Sequence, residues 1–248
     1  APTRSLTTTP PPPPSGPTET HVNVLCFGNS TGSIDLTVTG GTTAYTYVWA
    51  ANSGGIVPGG EANNQDLTGL VSGNYFVTVT DANLCTTTRS VTITQPSASL
   101  GATATHVNVL CFGNSTGSID LTVTGGTTAY TYVWAAGSGG IVPGGEANNQ
   151  DLTGLVAGTY YVTVTDAHTC EATTTVQITQ PAAPLGTTAT HVNVLCFGNS
   201  TGSIDLTVTG GTTAYTYVWT AGSGGIVPGG EANNQDLTGL AAGNYFVT

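Results

Sequence analysis

Apolar and polar residues alternate along several short stretches of this chain. In the segment GSIDLTVTGG, Ile34, Leu36 and Val38 alternate with Asp35 and two threonines. A period of two places the apolar side chains on one face of a β-strand and the polar ones on the other. The segment GNYFVTVTDA repeats this pattern further along the chain. Both segments are therefore predicted to be strands with one buried face.

Two further segments predict strands that are bounded by turns. YTYVW places Tyr45, Tyr47 and Trp49 on one side, and RSVTITQP ends at Pro96, which has no N–H to donate to a sheet. No segment has a helical period, and frequent glycine and threonine disfavour helices. Turn signals such as Gly-Asn, Gly-Gly and Pro-Gly-Gly separate about six or seven short strands, a pattern typical of an all-β, immunoglobulin-like sandwich.

The whole pattern occurs three times. The run HVNVLCFGNSTGSIDLTVTGGTTAYTYVW begins at His21, His106 and His191, which gives a period of 85 residues. Solenoid units are shorter, at roughly 20–50 residues, so each unit is expected to close its own core in a beads-on-a-string array of tandem sandwiches. The predicted organisation is a Thr/Pro-rich segment 1–20, repeat 1 (21–96), linker 97–105, repeat 2 (106–181), linker 182–190 and repeat 3 (191–248).

The charge of the chain excludes some partners. The formal net charge is −11, yet only 6% of residues are charged, and the only two cations are Arg4 and Arg89. Nucleic acid is excluded, because phosphate binding requires clusters of Lys and Arg, and no apolar run is long enough to span a membrane. Soluble surfaces usually carry about 25–35% charged residues. We therefore expect glycans or burial in a polymer to protect this surface.

The five cysteines fall into two registers of the repeat. Cys26, Cys111 and Cys196 share the first register, and Cys85 and Cys170 share the second. Paired cysteines in a repeated domain favour an oxidising, extracytoplasmic location. We predict bridges within each repeat, Cys26–Cys85 and Cys111–Cys170, with pairing between repeats, such as Cys85–Cys111, as the main alternative. Cys196 is expected to be unpaired within the chain.

Several ordered motifs of the unit resemble a known family. C-x-G-x-x-x-G-x-I-x-L, G-G-x-x-x-Y-x-Y-x-W, D-L-x-G-L-x-x-G-x-Y-x-V-x-V-T-D-A-x-x-C and V-T-I-T-Q-P occur in that order. Together they resemble the SprB repeat of bacterial cell-surface adhesins, which is similar to PKD and other Ig-like modules. The resemblance covers nearly all of 21–96 and 106–181, and 191–248. It implies a secreted, tandemly repeated surface protein used for adhesion or display.

Most residues that could carry chemistry are expected to have structural roles. A Trp on the third strand of an Ig-like sandwich usually packs in the core, and the G-x-Y-x-V-x-V pattern is typical of a tyrosine corner. No pair of nucleophile and base stands out in the sequence, so we predict no catalytic residues and no enzymatic activity. These structural residues are Trp49, Trp134, Trp219, Tyr75, Tyr160 and Tyr245.

Metal binding is predicted to be absent or limited to Ca²⁺. His21, His106 and His191 lie in separate repeats, so they are not expected to share a site. The acidic residues Asp35, Asp66, Asp81 and Glu61 offer oxygen ligands, but none lies in a dense D-x-D-x-D run. We interpret them first as solvated loop carboxylates and keep Ca²⁺ as the alternative.

Glycosylation is expected at two kinds of site. Asn29, Asn114 and Asn199 each open an N-S-T sequon. The proline run from Pro10 to Pro14 favours an extended polyproline helix, and threonine beside proline is typical of O-glycosylated stalks. The threonine candidates are Thr7, Thr8, Thr9 and Thr18.

The amino-terminal segment also matches the last strand of a repeat. Residues 3–9 align with 88–94, so that Arg4, Ser5, Leu6, Thr7 and Thr8 form a predicted assembly strand, and the sequence ends at Thr248 in the register of Thr78. An extended segment can complete a sandwich that lacks an edge strand. Either separate copies join head to tail by donating residues 3–9, or the repeats continue along one polypeptide.

The predicted function is that of a structural or adhesive segment of an extracellular bacterial filament. Its expected partners are copies of itself or neighbouring repeats, and a surface polysaccharide. One alternative is an array of carbohydrate-binding modules, which exposure of Tyr45, Trp49 or Phe27 would favour. The other is a stalk stiffened by Ca²⁺, which carboxylates clustered at a junction would favour.

Overall fold

The computed structural model describes residues 15–248, and all secondary-structure elements in this range are β-strands. The strands are β1 Ser15–Val22, β2 Gly32–Thr39, β3 Thr46–Asn52, β4 Leu67–Leu70, β5 Gly73–Thr80, β6 Thr86–Ile93, β7 Gly101–Val107, β8 Gly117–Thr124, β9 Thr131–Ala136, β10 Leu152–Leu155, β11 Gly158–Thr165, β12 Glu171–Ile178, β13 Gly186–Val192, β14 Gly202–Thr209, β15 Trp219–Ala221, β16 Leu237–Leu240 and β17 Tyr245–Val247.

Repeat 1 consists of two antiparallel sheets of three strands each. One has the order β1-β2-β4 and the other the order β3-β5-β6. The first, second and fourth strands thus share one sheet, and the third, fifth and sixth share the other, as in an immunoglobulin sandwich. The all-β, Ig-like fold predicted from the alternating pattern is confirmed.

The core of repeat 1 is built from the residues that alternate in the sequence. Ile34 and Leu36 of β2 and Tyr75, Val77 and Val79 of β5 are at most 1% exposed and belong to one apolar cluster. Burying each such side chain stabilises the fold by about 1.5–3 kcal/mol. The cluster also includes Val24, Trp49, Leu67, Leu70, Val91 and Ile93.

Repeat 2 has the same strand order, with sheets β7-β8-β10 and β9-β11-β12. Its buried apolar residues stand in the registers of those of repeat 1. They are Val109, Ile119, Leu121, Trp134, Leu152, Leu155, Tyr160, Val162, Val164, Val176 and Ile178.

Repeat 3 has one complete sheet and one reduced sheet. The order β13-β14-β16 reproduces the first sheet, whereas the second contains only β15 and β17. Its buried apolar cluster contains only Leu206, Trp219, Leu237 and Leu240. In repeat 1, β6 pairs with one edge of β5. Among the described residues, no strand pairs with the equivalent edge of β17.

The first strand of each repeat begins earlier than the repeat itself was predicted to begin. β1, β7 and β13 start at Ser15, Gly101 and Gly186, in segments expected to be linkers. β7 and β13 are mostly exposed along their length, because they lie at a sheet edge and pair through the backbone. Such strands have no apolar alternation, so a search for hydrophobic periodicity does not find them.

Spatial contacts between residues divide the chain into two compact units. The first runs up to Ala104 and includes Leu121–Val133 and Val162–Thr174. The second contains Thr105–Asp120, Trp134–Tyr161 and Thr175–Thr248. The strands of repeat 2 are thus shared between the units, and the domain boundaries proposed from the sequence stay predictions.

Candidate functional site

The tryptophans and the tyrosine-corner residues have structural roles. Trp49 is buried, and its Nε1 donates to the carbonyl oxygen of Asn64 at 2.9 Å. The Tyr75 hydroxyl donates to the carbonyl oxygen of Val71 at 2.8 Å, four residues earlier, which is the bond of a tyrosine corner. The equivalent bonds recur in the other repeats, from Trp134, Trp219, Tyr160 and Tyr245. The structural interpretation of these residues is confirmed.

Two of the four carboxylates considered as alternative Ca²⁺ ligands accept hydrogen bonds from their own repeat. Asp66 Oδ1 accepts a hydrogen bond from the Leu36 N–H at 2.9 Å. Glu61 accepts from the N–H and the hydroxyl of Thr68 at 3.0 and 3.1 Å. Asp35 lies exposed on β2. Within residues 15–248, no group of three His, Cys, Asp or Glu side chains is placed to hold a metal ion.

The fourth, Asp81, organises the loop that carries the second-register cysteine. Its carboxylate accepts from the backbone N–H groups of Thr42, Asn83 and Cys85 at 2.9–3.0 Å. These bonds, that from Thr42 foremost, lower the pKa of Asp81. A carboxylate that accepts several backbone N–H bonds favours its charged form. Asp81 is therefore a structural anion.

Asp166 has the same role in repeat 2. Burial on its own would raise the pKa of this carboxyl, but hydrogen bonds from the N–H groups of Cys170, Thr127 and His168 outweigh burial and lower it. The backbone N–H of Cys170 lies 2.9 Å from Asp166 Oδ1, as that of Cys85 does from Asp81 Oδ1. The two loops thus present their cysteines in the same way.

The predicted bridges Cys26–Cys85 and Cys111–Cys170 are wrong. The structure joins Cys26 of repeat 1 to Cys170 of repeat 2, with their Cα atoms 5.7 Å apart. Cys85, Cys111 and Cys196 are exposed and free. Cys196 is unpaired within the chain, as the sequence predicted. The bridge joins two repeats, but not through the pair Cys85–Cys111 named as the alternative.

The cause of the error is the position of the two registers at opposite ends of β6. Cys85 precedes Thr86, the first residue of β6. Cys26 lies beside the other end, where Val24 and Gly28 donate to Thr94 and Gln95 just after β6. Eight strand residues span about 26 Å, whereas a disulfide needs Cα atoms within about 7 Å. A bridge within one repeat is therefore impossible.

The positions predicted for glycosylation and assembly are partly outside the described residues. Asn29, Asn114, Asn199 and Thr18 are exposed, which leaves them accessible to modification. The remaining candidates lie in the part of the chain that the structure does not describe. They are the assembly-strand residues Arg4, Ser5, Leu6, Thr7 and Thr8, and the further threonine Thr9.

Arg89 and His21 share one carboxylate in repeat 1. Glu19 Oε2 lies 3.0 Å from His21 Nδ1, and Glu19 Oε1 lies 3.4 Å from an Arg89 guanidinium nitrogen. Burial opposes ionisation of Glu19, but the hydrogen bonds to His21 and Arg89 outweigh it and lower its pKa. This contact joins β1 to β6 across the edge of the sandwich, where Arg89 has the register of Arg4.

The reduced sheet of repeat 3 leaves an open cleft of about 560 Å³. In repeats 1 and 2, the sixth strand covers the equivalent cleft; it is β6 in repeat 1 and β12 in repeat 2. Ile34 is 1% exposed and Tyr75 is fully buried, but their equivalents Ile204 and Tyr245 are only partly buried. The cleft is lined by residues of β13, β14 and the segment before β17, including His191, Val194, Gly202, Ile204, Leu240 and Tyr245.

The cleft also presents the polar groups that hold β6 in place elsewhere. In repeat 1, the N–H of Val24 donates to the Thr94 carbonyl, and Asn23 Oδ1 accepts from the Thr94 N–H at 2.8 Å. Repeat 2 has the same pair of bonds at Val109 and Asn108. Asn193 and Val194 stand in these registers and line the cleft. The cleft therefore has the shape and the polar groups for one more antiparallel strand.

Sequence reasoning missed two features of these sites. It did not identify Asn23 and Asn108 as groups that fasten the end of the last strand, although an Asn two residues after each repeated His was visible. It also did not place the two cysteine registers at opposite ends of the unit. Counting the strand residues after Cys85 would have revealed that distance.

No described helix is long and apolar enough to cross a membrane. Comparison with curated proteins gives no significant match. Among solved structures, a 282-residue C-terminal fragment of intimin, in complex with the intimin-binding domain of its receptor Tir, is 16% identical, with a TM-score of 0.40 over 67% of this chain and 66% of that one. This chain thus spans slightly less than two thirds of the fragment.

Other similar structures contain tandem extracellular domains. The ectodomain of mouse nectin-like molecule 4 is 17% identical, with a TM-score of 0.30 over 69% of this chain and 66% of that one. Protocadherin gamma B7 cadherin domains 1–4 are 8% identical, with a TM-score of 0.33 over 94% and 64%. The SprB repeat model matches three times, at residues 18–54, 103–139 and 188–224. Each of the three repeats of this chain thus contains one SprB repeat.

Proposed function

We propose that this chain is a structural and adhesive subunit or segment of an extracellular bacterial filament, assembled head to tail by strand complementation or as one continuous array of repeats. SprB repeats make it a repeat segment of the cell-surface adhesin type. In the first account, residues 3–9 of one copy would form the sixth strand of repeat 3 in the preceding copy; in the second, the repeats continue along one polypeptide. The open cleft of repeat 3 is the observation that carries this proposal.

β6 indicates how the incoming strand would lie. In repeat 1, Tyr75 pairs with Val91 and Gly73 pairs with Ile93, and both Val91 and Ile93 are buried. In the register of the repeat, Leu6 stands for Val91 and Thr8 for Ile93. Leu6 would therefore enter the core beside Tyr245 of the receiving copy. Burial of a leucine side chain contributes about 1.5–3 kcal/mol.

The end of the incoming strand has matching polar partners. Thr9 has the register of Thr94 and Thr179, whose backbone groups bind Asn23 and Asn108. Thr9 would bind Asn193 and Val194 in the same manner. Strand addition satisfies the backbone groups of a sheet edge, and its side chains set the specificity.

The two alternatives from another class have less support. In an array of carbohydrate-binding modules, Trp49 would stack on sugar, but it is buried and bound to Asn64. Phe27 is 45% exposed, which keeps binding of surface polysaccharide as a secondary role.

In a Ca²⁺-stiffened stalk, carboxylates would converge, whereas Asp66 and Glu61 bind backbone groups of their own repeat. Glycans on Thr18 and the sequon asparagines fit the low surface charge.

The decisive experiment compares the chain with its Leu6→Asp variant by electron microscopy and light scattering. We expect filaments from the wild type and monomers from the variant, because a carboxylate cannot enter the apolar slot. Ile56→Asp is the matched control, since Ile56 is 66% exposed in a loop. Filaments formed equally well by Leu6→Asp would refute strand donation. A monomeric wild type would favour repeats that continue along one polypeptide.

A further inference from the structure

We infer that the junction between repeats 1 and 2 is a binding site for a neutral sugar of a polysaccharide chain. The site is a pocket of about 400 Å³ beside the Cys26–Cys170 bridge. The inference rests on the adhesive part of the proposed function, for which it names a site and a class of ligand. It does not depend on how copies of the chain assemble.

The pocket is formed by two consecutive repeats and the segment between them. Its residues come from the turn 26–29 of repeat 1, from Ser99 and Leu100, and from Gly126 and the loop 169–171 of repeat 2. All of them lie in the first compact unit. Small-molecule sites have volumes of about 300–1,000 Å³ and lie preferentially at interfaces between domains. The pocket has both properties.

Hydrogen bonds hold both walls of the pocket to the segment between the repeats. The Gly28 N–H donates to Gln95 Oε1 at 2.9 Å, which fastens the turn 26–29 to the residues that follow β6. The Gly126 N–H donates to the Ala98 carbonyl oxygen at 3.0 Å, which fastens the next residues to repeat 2. The segment is therefore bound to one repeat up to Gln95 and to the other from Ala98.

The short connection and the disulfide restrict the junction further. Only Pro96 and Ser97 lie between the two fastened points, and the proline ring fixes its own φ at about −65°. The bridge between Cys26 and Cys170 joins the two walls covalently. The walls are thus held in place before any ligand binds, which lowers the conformational entropy that binding would cost.

The side chains that line the pocket combine an aromatic ring with oxygen and amide groups. Phe27 is 45% exposed, and Asn29, Thr169 and Glu171 are exposed as well. An aromatic ring offers an apolar surface for the C–H face of a pyranose ring. Carboxylate, amide and hydroxyl groups are hydrogen-bonding partners for its hydroxyls. The pocket therefore matches both surfaces that a sugar presents.

The charge of the site selects a neutral ligand. None of the described residues that line the pocket is Lys or Arg, and the net charge of the chain is −11. Phosphates, sulfated glycans and uronic-acid chains would therefore be repelled. A purely apolar ligand would remove water from Glu171 without replacing its hydrogen bonds. A simple cation would leave the Asn29 amide and the Thr169 hydroxyl without a role.

The loop that supplies Thr169 and Glu171 differs from its counterpart in repeat 1. These two residues stand where repeat 1 has Leu84 and Thr86, whereas residues 21–51 recur unchanged in repeat 2. Both versions of the loop bind their aspartate through three backbone N–H groups. The repeat 1 residues are therefore compatible with the loop conformation, and they provide a variant of the pocket that still folds.

The test is isothermal titration calorimetry of the oxidised chain with tetrasaccharides of glucose, mannose and galactose. We expect at least one of the three to bind. Tetragalacturonate should not bind, because its carboxylates would meet Glu171. Failure of all three neutral tetrasaccharides to bind would overturn the inference, and so would tighter binding of tetragalacturonate.

Variants locate the bound sugar. Phe27→Ala should weaken binding about tenfold through the lost contact with the ring. The double variant Thr169→Leu/Glu171→Thr, which restores the repeat 1 loop, should weaken it about fivefold through lost hydrogen bonds. Phe76→Ala is the matched control and should bind like the wild type, since Phe76 is 38% exposed in the same repeat and lies outside the pocket. Full binding by Phe27→Ala, or equal weakening by both phenylalanine variants, would overturn the site.

Cys26→Ser tests whether the sugar contacts both repeats. It removes the covalent tie between the walls and leaves Phe27, Asn29 and Glu171 in the chain. Binding should weaken several-fold, because the two walls are then less firmly held together. Unchanged affinity would show that one repeat binds the sugar alone and would overturn a site shared by two repeats.

Adhesion to beads coated with glucan, mannan or galactan separates this inference from the proposed function. Adhesion of the wild type that Phe27→Ala loses and Phe76→Ala keeps would support both. Adhesion that Phe27→Ala leaves unchanged would overturn the site and leave the adhesive role intact. Binding of a tetrasaccharide without adhesion to any of the beads would support the site and refute the adhesive role.

Discussion

Buried carboxylates fix the loops that present the second-register cysteines. Asp81 and Asp166 are among the few buried polar residues of the described chain, and each accepts three backbone N–H groups. The sequence placed Asp81 among the candidate Ca²⁺ ligands, because residue type alone does not reveal that three N–H groups converge on its oxygens. That information arises only when the loop closes on the neighbouring turn.

Acidification is expected to weaken the fold through these two residues. Their pKa values are lowered in the folded state, so the stabilisation they provide is complete above the ordinary aspartate pKa of about 3.9. It is lost as the pH falls through the folded-state values. In urea unfolding followed by tryptophan fluorescence, Asp81→Asn/Asp166→Asn should be less stable than wild type at pH 6, and the difference should shrink as the pH falls below the ordinary aspartate pKa.

The control for this series is Asp35→Asn, which changes an exposed carboxylate on β2. It should leave stability at pH 6 within about 0.5 kcal/mol of the wild type. A constant difference between wild type and the double variant across the whole pH range would contradict the assignment.

The backbone conformation and the close packing at position 73 require glycine. Its φ is +156°, and a Cβ there would lie 2.1 Å from the backbone nitrogen of Gly55. Gly73→Ala should therefore destabilise repeat 1 by roughly 2 kcal/mol or more. Gly59→Ala, where a Cβ meets nothing within 4 Å, is the matched control for urea unfolding. Equal stability of the two variants would show that the loop relaxes around the added methyl group.

The sixth strand is the element on which the proposed assembly depends. Its apolar alternation was readable from the sequence, because Val91 and Ile93 face the core and their neighbours face solvent. The edge strands β1, β7 and β13 were not readable to their full length, because backbone pairing with β2, β8 and β14 leaves no hydrophobic signature. Elements with a buried face are thus predictable here, whereas strands that pair only through the backbone are not.

Thr8 is expected to weaken the donated strand relative to β6. Ile93→Thr in repeat 1 places the donor's residue in an intact sandwich and should cost roughly 2 kcal/mol, through lost apolar contact and a buried hydroxyl. Conversely, Thr8→Ile should lower the concentration of chain needed for filaments. Val48→Thr is the control, since the Val48 side chain on β3 is 59% exposed. Unchanged assembly of Thr8→Ile would place Thr8 outside the cleft.

At the scale of the whole molecule, the sequence established the number of repeats and their fold but not the covalent connections between them. Periodicity identifies equivalent cysteines, whereas pairing depends on which end of a sandwich each occupies. The open side of the second sheet in repeat 3 was predictable, because β17 has the register of β5 and no described strand has the register of β6 there. The polar groups that Asn193 and Val194 present to the cleft were not predictable, since they depend on contacts made after folding.

Reduction should leave each sandwich folded, because no repeat contains a bridge of its own. Since the bridge runs between Cys26 and Cys170, the thermal midpoint reported by Trp49, Trp134 and Trp219 should change little with reducing agent. Cys26→Ser should behave like the reduced wild type. A fall in the midpoint of about 10 °C or more on reduction would indicate that the bridge stabilises the sandwiches themselves.

The position of this bridge also determines how the chain responds to tension. A pull on the two ends passes through the S–S bond, so the 143 residues between Cys26 and Cys170 form a closed loop that bears no load. Fully extended, they would add about 50 nm of contour length. Most of repeats 1 and 2 is thereby withheld from stretching, and only after reduction could a force that unfolds the sandwiches extend the chain by that length. A surface fibre with such bridges would be nearly inextensible when oxidised and compliant when reduced.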